Sequence, residues 1–499
     1  MLTALTTTAT AGGILTNTNQ SIDFLRNPAR DAAIGLDGVY SNPAGVAFLS
    51  EGFHLGLNWQ YAHQTRTITS TNPFFALGRK NNGQTTKEFE GVADAPCIPS
   101  IQAAWNKGDW SIQFNFSVPG GGGKCEFADG LGSFESVVGS IANQLSPLGA
   151  KGYDMNGYMQ GRQYYFGFQL GSAYKINEKV SVYGGLRLLY GTATYRARIS
   201  NIQVKTAGDA YVDFGSFLNG ATATVNGGLT QVSNGLNQVN AGIEQYNAMG
   251  VPVPQDLLDT QAQLLAQQTQ LEGTRTSLNA LEKYSEGVNL LCNQTSVGIV
   301  PVVGIDYRLN DKFNFAAKYE FKTQMRMKNE STVFEASEIS AVNKFRDGES
   351  VNEDQPALLT IGAQYSPIEP VRINLGWHMY FDKDADWYGN TQSLLDHNTM
   401  EYLAGVEYDI NDRLTASLGG QLTRYGLTDQ YMNDMSFVVN SYSFGFGANY
   451  KVSDHVTVKA AYFQTNYGKY KRTDYPTAGV SDTFTRSNRV LGIGCDITI

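Results

Sequence analysis

Five cations, Arg187, Lys318, Lys322, Arg326 and Arg372, fall on the polar side of long alternating segments. The clearest segment runs from Phe313 to Lys328. Phe313, Phe315, Ala317, Tyr319, Phe321, Met325 and Met327 share one parity, which only Thr323 breaks. Asn314, Lys318, Glu320, Lys322, Gln324, Arg326 and Lys328 share the other. A strand points successive side chains to opposite faces, so this ribbon has one apolar and one charged side. Cations on the inner wall of a barrel suit one chemistry, the electrostatic capture of an anionic head group. The plainer alternative is lumen electrostatics with no ligand, in which Glu320 pairs with one or more of the five.

Other chemistry is thinly represented. The histidines, His54, His63, His378, His397 and His455, sit in no recognisable Ser-His or Asp-His motif, so a hydrolase is a weak reading. Cys97, Cys125, Cys292 and Cys495 show no metal-ligand spacing, and neither a metal nor a cofactor is expected. Cys97 and Cys125 flank loops at the same end of neighbouring predicted strands. They form a disulfide in an oxidising compartment or remain free thiols. A net charge of −9 argues against nucleic acid as a partner. At the N-terminus, Ala9-Thr10-Ala11 has the small-residue character that ends a secretory signal. Residues 1–11 thus read as a signal remnant or as the start of a trimmed chain.

The elements that position these residues are strands. No stretch reaches the roughly 18 apolar residues of a membrane helix. Short turns near 106–109, 177–179, 310–312, 366–370, 411–413 and 453–455 each join two alternating ribbons. Longer loops run near 69–97, 119–161, 205–295, 329–355, 383–398, 427–437 and 469–484. The connections predict fourteen strands, near 53–68, 98–106, 110–118, 162–176, 180–204, 296–309, 312–328, 356–366, 370–382, 399–410, 413–426, 438–451, 455–468 and 485–499. An even count of long ribbons, greasy on one side, predicts an all-β membrane protein. The expected fold is a 14-stranded antiparallel transmembrane β-barrel over residues 51–499. Lipid of the outer membrane then surrounds it, its long loops are extracellular and its termini periplasmic. Pro301 within a strand predicts a bulge or an edge-like distortion.

Residues 12–50 do not alternate. They contain Asn42-Pro43-Ala44-Gly45, about ten residues before the first strand. Such a segment either hangs free or folds into the bore as a plug. The tetrapeptide, its position and the strand and loop pattern resemble the FadL-type long-chain fatty acid transporters of Gram-negative outer membranes. Tyr319-Glu320-Phe321-Lys322 and Pro356-Ala357 followed by Ile361-Gly362 carry the resemblance further along the chain. It implies that residues 12–50 are a lumenal hatch and that a monomer takes up fatty acids or other hydrophobic compounds. It also implies a lateral exit at a kink in the third strand. Here that strand runs straight into Pro119-Gly120-Gly121-Gly122-Gly123, where proline removes a donor and glycines permit sharp backbone angles. An ordinary flexible loop start is the alternative.

Two loops carry helical patterns. Phe134, Val137, Val138, Ile141 and Leu145 repeat at helical spacing, either facing a hydrophobic ligand or capping the barrel. In the third long loop, Val225, Leu229, Val232, Leu236, Val239, Ile243 and Tyr246 form a heptad seam. After a Gly/Pro break, Leu257, Leu264, Leu271 and Leu278 recur every seven residues. Residues 215–291 are therefore expected to form an extracellular helical hairpin, either self-packed, part of a greasy groove, or a stalk that binds an outside partner. A long-tailed amphiphile needs an apolar path, because exposing its tail to water costs about 0.8 kcal/mol per methylene. Passive uptake of hydrophobic molecules is the leading function. A structural or adhesive barrel with a partner-binding stalk is the alternative.

Overall fold

A computed structural model describes residues 13–335 and 340–499. The suggested signal remnant, residues 1–11, lies outside them. Fourteen strands form one antiparallel sheet closed into a barrel. They are β1 (Gly52–Thr71), β2 (Thr86–Lys107), β3 (Trp110–Phe127), β4 (Gly152–Lys175), β5 (Val180–Lys205) and β6 (Val288–Asn310). β7 covers Phe313–Glu320 and resumes at Arg326–Glu335. The rest are β8 (Leu358–Tyr365), β9 (Val371–Tyr380), β10 (Thr399–Asn411), β11 (Leu414–Arg424), β12 (Ser441–Lys451), β13 (Val456–Tyr467) and β14 (Ser481–Thr498). Pairing of β1 with β14, from His54 opposite Thr498 to Thr71 opposite Ser481, closes the cylinder. Closure removes the sheet edges, as a hydrocarbon environment requires.

The outer face is apolar. Leu170, Leu186, Val297, Ile299, Leu375 and Leu491 all point outward and are exposed. Aromatic rings gather near the short turns, where Trp110 packs on Tyr174 at 4.7 Å and Phe313 on Tyr365 at 4.6 Å. Such girdles mark the membrane–water interface of a spanning barrel. Among the described residues no helix is long and apolar enough to cross a membrane.

Several strands extend well past their expected ends. β2 starts at Thr86 rather than 98, β3 continues to Phe127 rather than 118, and β4 starts at Gly152 rather than 162. The cause lies on both faces. Toward the long loops, inward positions such as Met155, Met159, Tyr195, Ala197, Leu290 and Cys292 are apolar. The outward positions there, such as Glu88, Glu90, Lys124, Arg196 and Arg198, are charged, so the greasy-outside pattern that marks a membrane strand inverts.

The ribbon from Phe313 to Lys328 also departs from its expected course. Phe313, Phe315 and Phe321 point outward, but Phe321 and Lys322 are both exposed. Beyond this doubled step the parity inverts, and Met325 and Met327 are fully buried inside. The β6–β7 ladder is interrupted between Thr295–Lys328 and Val302–Glu320. Pro301 sits in that interval and has no N–H to donate, which is the irregularity its sequence predicts. Lys322 and Arg326 are therefore not lumen residues. Lys322 is exposed and donates to the Asp384 carbonyl at 2.9 Å; Arg326 pairs with Asp354 at 2.9 Å near the loops.

The Cys97–Cys125 disulfide is absent, and both cysteines are free. Cys125 is opposite Ala93, four residues along β2 from Cys97. At about 3.3 Å per residue that offset exceeds the Cα separation a disulfide spans. Cys125 is buried whereas Cys97 is exposed.

The third long loop forms α4 (Phe214–Ala248) and α5 (Gln255–Leu281). The helices pack closely because glycines face leucines. A Cβ on Gly228, Gly235 or Gly242 would lie 3.3 Å from Leu271, Leu264 or Leu257. The leucine stripe is spent on the neighbouring helix, which favours the self-packed hairpin.

Residues 13–49 lie within the ring of strands. Two short helices, α1 (Ile22–Arg26) and α2 (Gly38–Ser41), touch β13, β12 and β14 on one side and β2 and β3 on the other. Wall glycines allow this approach. A Cβ on Gly405 would meet Asn27 Oδ1 at 2.0 Å, and one on Gly445 would meet the Leu25 carbonyl at 2.0 Å.

Candidate functional site

The leading segment is held by charge and hydrogen bonds. Arg26 and Arg30 reach Glu407 of β10 at 2.7 and 2.9 Å. Arg372 of β9 reaches the same carboxylate at 3.2 Å and Asp409 at 2.5 Å. Lys459 of β13 contacts Asp23 of α1 and Asp496 of β14. His378 lies between Asp31, at 2.9 Å, and Glu401, at 2.9 Å. Buried charges demand such partners.

Arg187 and Lys318 do lie on the inner wall, where they close on one tyrosine. Arg187 pairs with Glu320 at 2.5 Å and Lys318 pairs with it at 2.7 Å. Their cationic groups sit 4.9 and 4.7 Å from the centre of the Tyr40 ring, and Lys318 also donates to the Tyr40 carbonyl at 2.8 Å. Arg187 and Lys318 are therefore engaged with a wall carboxylate and the leading segment, and Arg372 with wall carboxylates.

Asn42-Pro43-Ala44-Gly45 is pinned at three points. Asn42 donates to Asp306 at 2.6 Å, Gln113 donates to the Pro43 carbonyl at 2.7 Å, and Ser181 donates to the Ala44 carbonyl at 2.6 Å. The Gly45 N–H donates to Asn42 Oδ1 at 3.2 Å. The motif thus docks on β3, β5 and β6 at once.

Above this polar floor the wall is interrupted. The β2–β3 ladder jumps from Asp94–Lys124 to Ile101–Phe116, leaving 95–100 and 117–123 unpaired with each other. Pro96, Pro99 and Pro119 lack donors, and Gly121 adopts φ +76°, where a Cβ would meet the Gln163 carbonyl at 2.3 Å. Freed β3 groups bond inward instead. The Asn17 N–H donates to the Pro119 carbonyl at 2.9 Å, Asn17 Nδ2 to the Gly121 carbonyl at 2.7 Å, and the Val118 N–H to Gln20 Oε1 at 2.9 Å. Pro119–Gly123 is therefore a kink within a long strand rather than a loop start.

At the long-loop end lies an apolar cavity of about 250 Å³. Phe134, Val138 and Ile141 of α3 (Gly132–Gln144) line it, with Val204, Leu290 and Phe345. Leu145 is buried too but does not line it. One connected set of buried apolar side chains joins this lining to Ala93, Cys125 and Tyr165 beside the wall interruption. Sequence reasoning missed this continuity because it joins residues far apart along the chain.

The loop after β11 braces α3. Asp434 accepts from the Ser133 N–H at 2.7 Å. Burial, with Asp482 adding repulsion, pushes its carboxyl up from 3.8 to about 6. A carboxyl raised on folding contributes stability while protonated, below pH 3.8, and that contribution is lost as pH rises through about 6. Asp434→Asn should therefore raise the melting temperature above pH 6 and leave it unchanged below pH 3.8, as thermal unfolding in detergent would record.

No family model and no curated protein matches this chain. Solved structures do. A FadL homologue of Pseudomonas aeruginosa is similar at 11% identity and a TM-score of 0.59, covering 98% of this chain and 100% of its own. The toluene transporter TodX of P. putida is similar at 12% identity and 0.53, covering 93% and 94%. Closed strands, an inward leading segment and a kinked third strand are thus built on the fold of the FadL-type outer-membrane transporters.

Proposed function

We propose that this protein is an outer-membrane channel for the passive uptake of hydrophobic molecules, long-chain fatty acids foremost. The observation that carries this reading is the apolar continuity from the outer cavity to the β2–β3 interruption. A hydrophobic solute on that route stays out of water from the loops to the wall, so the tail never incurs the hydration penalty. Residues 13–49 act as the hatch, and the Pro119–Gly123 kink as the lateral exit into the membrane. Arg187 and Lys318 hold the hatch in place through Tyr40. The channel reading receives support from structural relatives that include a toluene transporter. No energy-coupling motif occurs in the sequence, so the solute moves down its gradient.

The test is uptake of radiolabelled oleate and of toluene into proteoliposomes carrying the full chain. Val138→Asp places a charge in the cavity lining. Uptake of both solutes should fall by about tenfold, since a charge in an apolar site is poorly tolerated. Uptake no faster than in protein-free vesicles would sink the reading.

A further inference from the structure

We infer that the outer wall of β3, β4 and β5 binds a phosphorylated membrane glycolipid, at a cationic patch directly beyond the lipid-facing band. The inference goes beyond uptake, since it concerns the outside of the barrel and no cargo. β4 and β5 keep one register from Lys175 opposite Ser181 to Tyr158 opposite Arg198, so one parity stays outward over this whole length. Toward the short turns the outward positions are Phe166, Phe168 and Leu170 on β4 and Leu186, Leu188 and Tyr190 on β5. Tyr164 stacks on Phe166 at 5.8 Å and ends the band.

Charge begins two residues further on. Arg162 of β4 is exposed, and its direct partner on β3 is the exposed Lys124. Arg196 of β5 is diagonal to Arg162, and Arg198 follows on the same face. At about 3.3 Å per residue, Arg162 lies roughly 6 Å beyond Tyr164. The head-group layer is about 5–7 Å deep on each side of a bilayer, so these cations stand at its phosphates. Like charges on adjacent strands repel. Among the described residues Lys124 alone of the four forms an ion pair, with Glu126 at 2.5 Å. β2 carries Glu88, Glu90 and Asp94 outward, so the cations are segregated on one stretch of wall in a chain of net charge −9. Phosphates seated among the guanidiniums turn the repulsion into charge-assisted contacts.

A second observation points to the rest of the head group. The patch runs into a polar pocket of about 280 Å³, which Tyr158 and Arg198 line together with Asn156, Arg79 and Lys80. Its basic side chains are held in place. Arg79 lies 4.8 Å from the centre of the Tyr211 ring, and Lys80 donates to the Met155 carbonyl and to Asn156 Oδ1, both at 2.7 Å. Amide, phenol and charged groups together suit the hydroxyls of a saccharide. The wall thus offers, in order, an apolar band for acyl chains, arginines for phosphates and a polar pocket for sugar. A glycolipid with phosphates on its saccharide has these three parts in the same order. A simple phospholipid meets the arginines but does not reach the pocket.

Titration of the full-length protein in neutral detergent with lipid A, a bisphosphorylated disaccharide lipid, tests this by native mass spectrometry. Wild type should bind lipid A several-fold more tightly than its monophosphorylated form or phosphatidylglycerol, and binding should weaken as salt rises. The double variant Arg162→Gln/Arg196→Gln should weaken lipid A binding by about tenfold. Lys312→Gln, an exposed cation lost at a short turn on the opposite rim, should leave it unchanged. Heat-modifiable gel mobility reports whether each variant is folded. If the double variant does not fold, Arg198→Gln should still lower binding selectively. Phosphatidylglycerol bound as tightly as lipid A overturns the inference. So does an equal loss in Lys312→Gln, or a folded arginine variant that binds lipid A as wild type does.

Discussion

Deleting residues 1–49 should turn the protein from a closed barrel into one that conducts small ions and passes polar dyes. A fourteen-strand cylinder is wider than the eight-strand barrels whose own side chains fill the bore, so its interior needs a separate filling. Residues 13–49 supply that filling, with Ile22, Leu25, Val39 and Tyr40 almost completely buried against the wall. The closing pairs of β1 and β14 do not involve the deleted residues, so the cylinder should still form. Planar-bilayer conductance measures the effect directly. Wild type should be nearly silent and the truncated form should show large steady openings. A truncated barrel that folds and stays silent would refute the assignment of residues 13–49 as the hatch.

Glu407→Ala should loosen the same segment without removing it. Three guanidiniums, those of Arg26, Arg30 and Arg372, converge on this one carboxylate. Arg26 keeps Asp23, Arg30 keeps Asp37 and Arg372 keeps Asp409. The loss therefore leaves an excess of buried positive charge rather than orphaned residues. Removing one partner of a buried ion pair typically costs about 3–5 kcal/mol. That cost falls on the contact between hatch and wall, because Arg26 and Arg30 belong to one and Glu407 to the other. Trypsin should then cut at Arg26 or Arg30, which wild type shields, and flickering conductance should appear while gel mobility still reports a folded barrel. Glu407→Gln should give a smaller effect because the amide still accepts a hydrogen bond. Resistance to trypsin equal to wild type would show that the charge network does not hold the segment.

The limits of sequence reading follow from the interior of this barrel. Where the bore is polar, as at Asn374 and His378 against Leu375 and Trp377, alternation reveals both the strand and its inner face. Where the bore is apolar, as along Met155, Met159 and Ala197, outward neighbours such as Arg196 and Arg198 are charged, and the greasy-outside pattern inverts although the strand continues. At Phe321–Lys322 a single extra residue moves every later side chain to the other face, since the strand period is two. That step removed Lys322 and Arg326 from the lumen and put Met325 and Met327 there.

Side-chain period, turn chemistry and the lack of long apolar helices determined the class of fold and the number of strands from the sequence alone. These are local properties, set by residues that are neighbours along the chain. Tertiary structure decided which cations the leading segment engages, where the β2–β3 ladder breaks and which buried apolar side chains pack together. Each of these depends on register and closure between distant strands, and no local pattern encodes a contact between residues hundreds of positions apart.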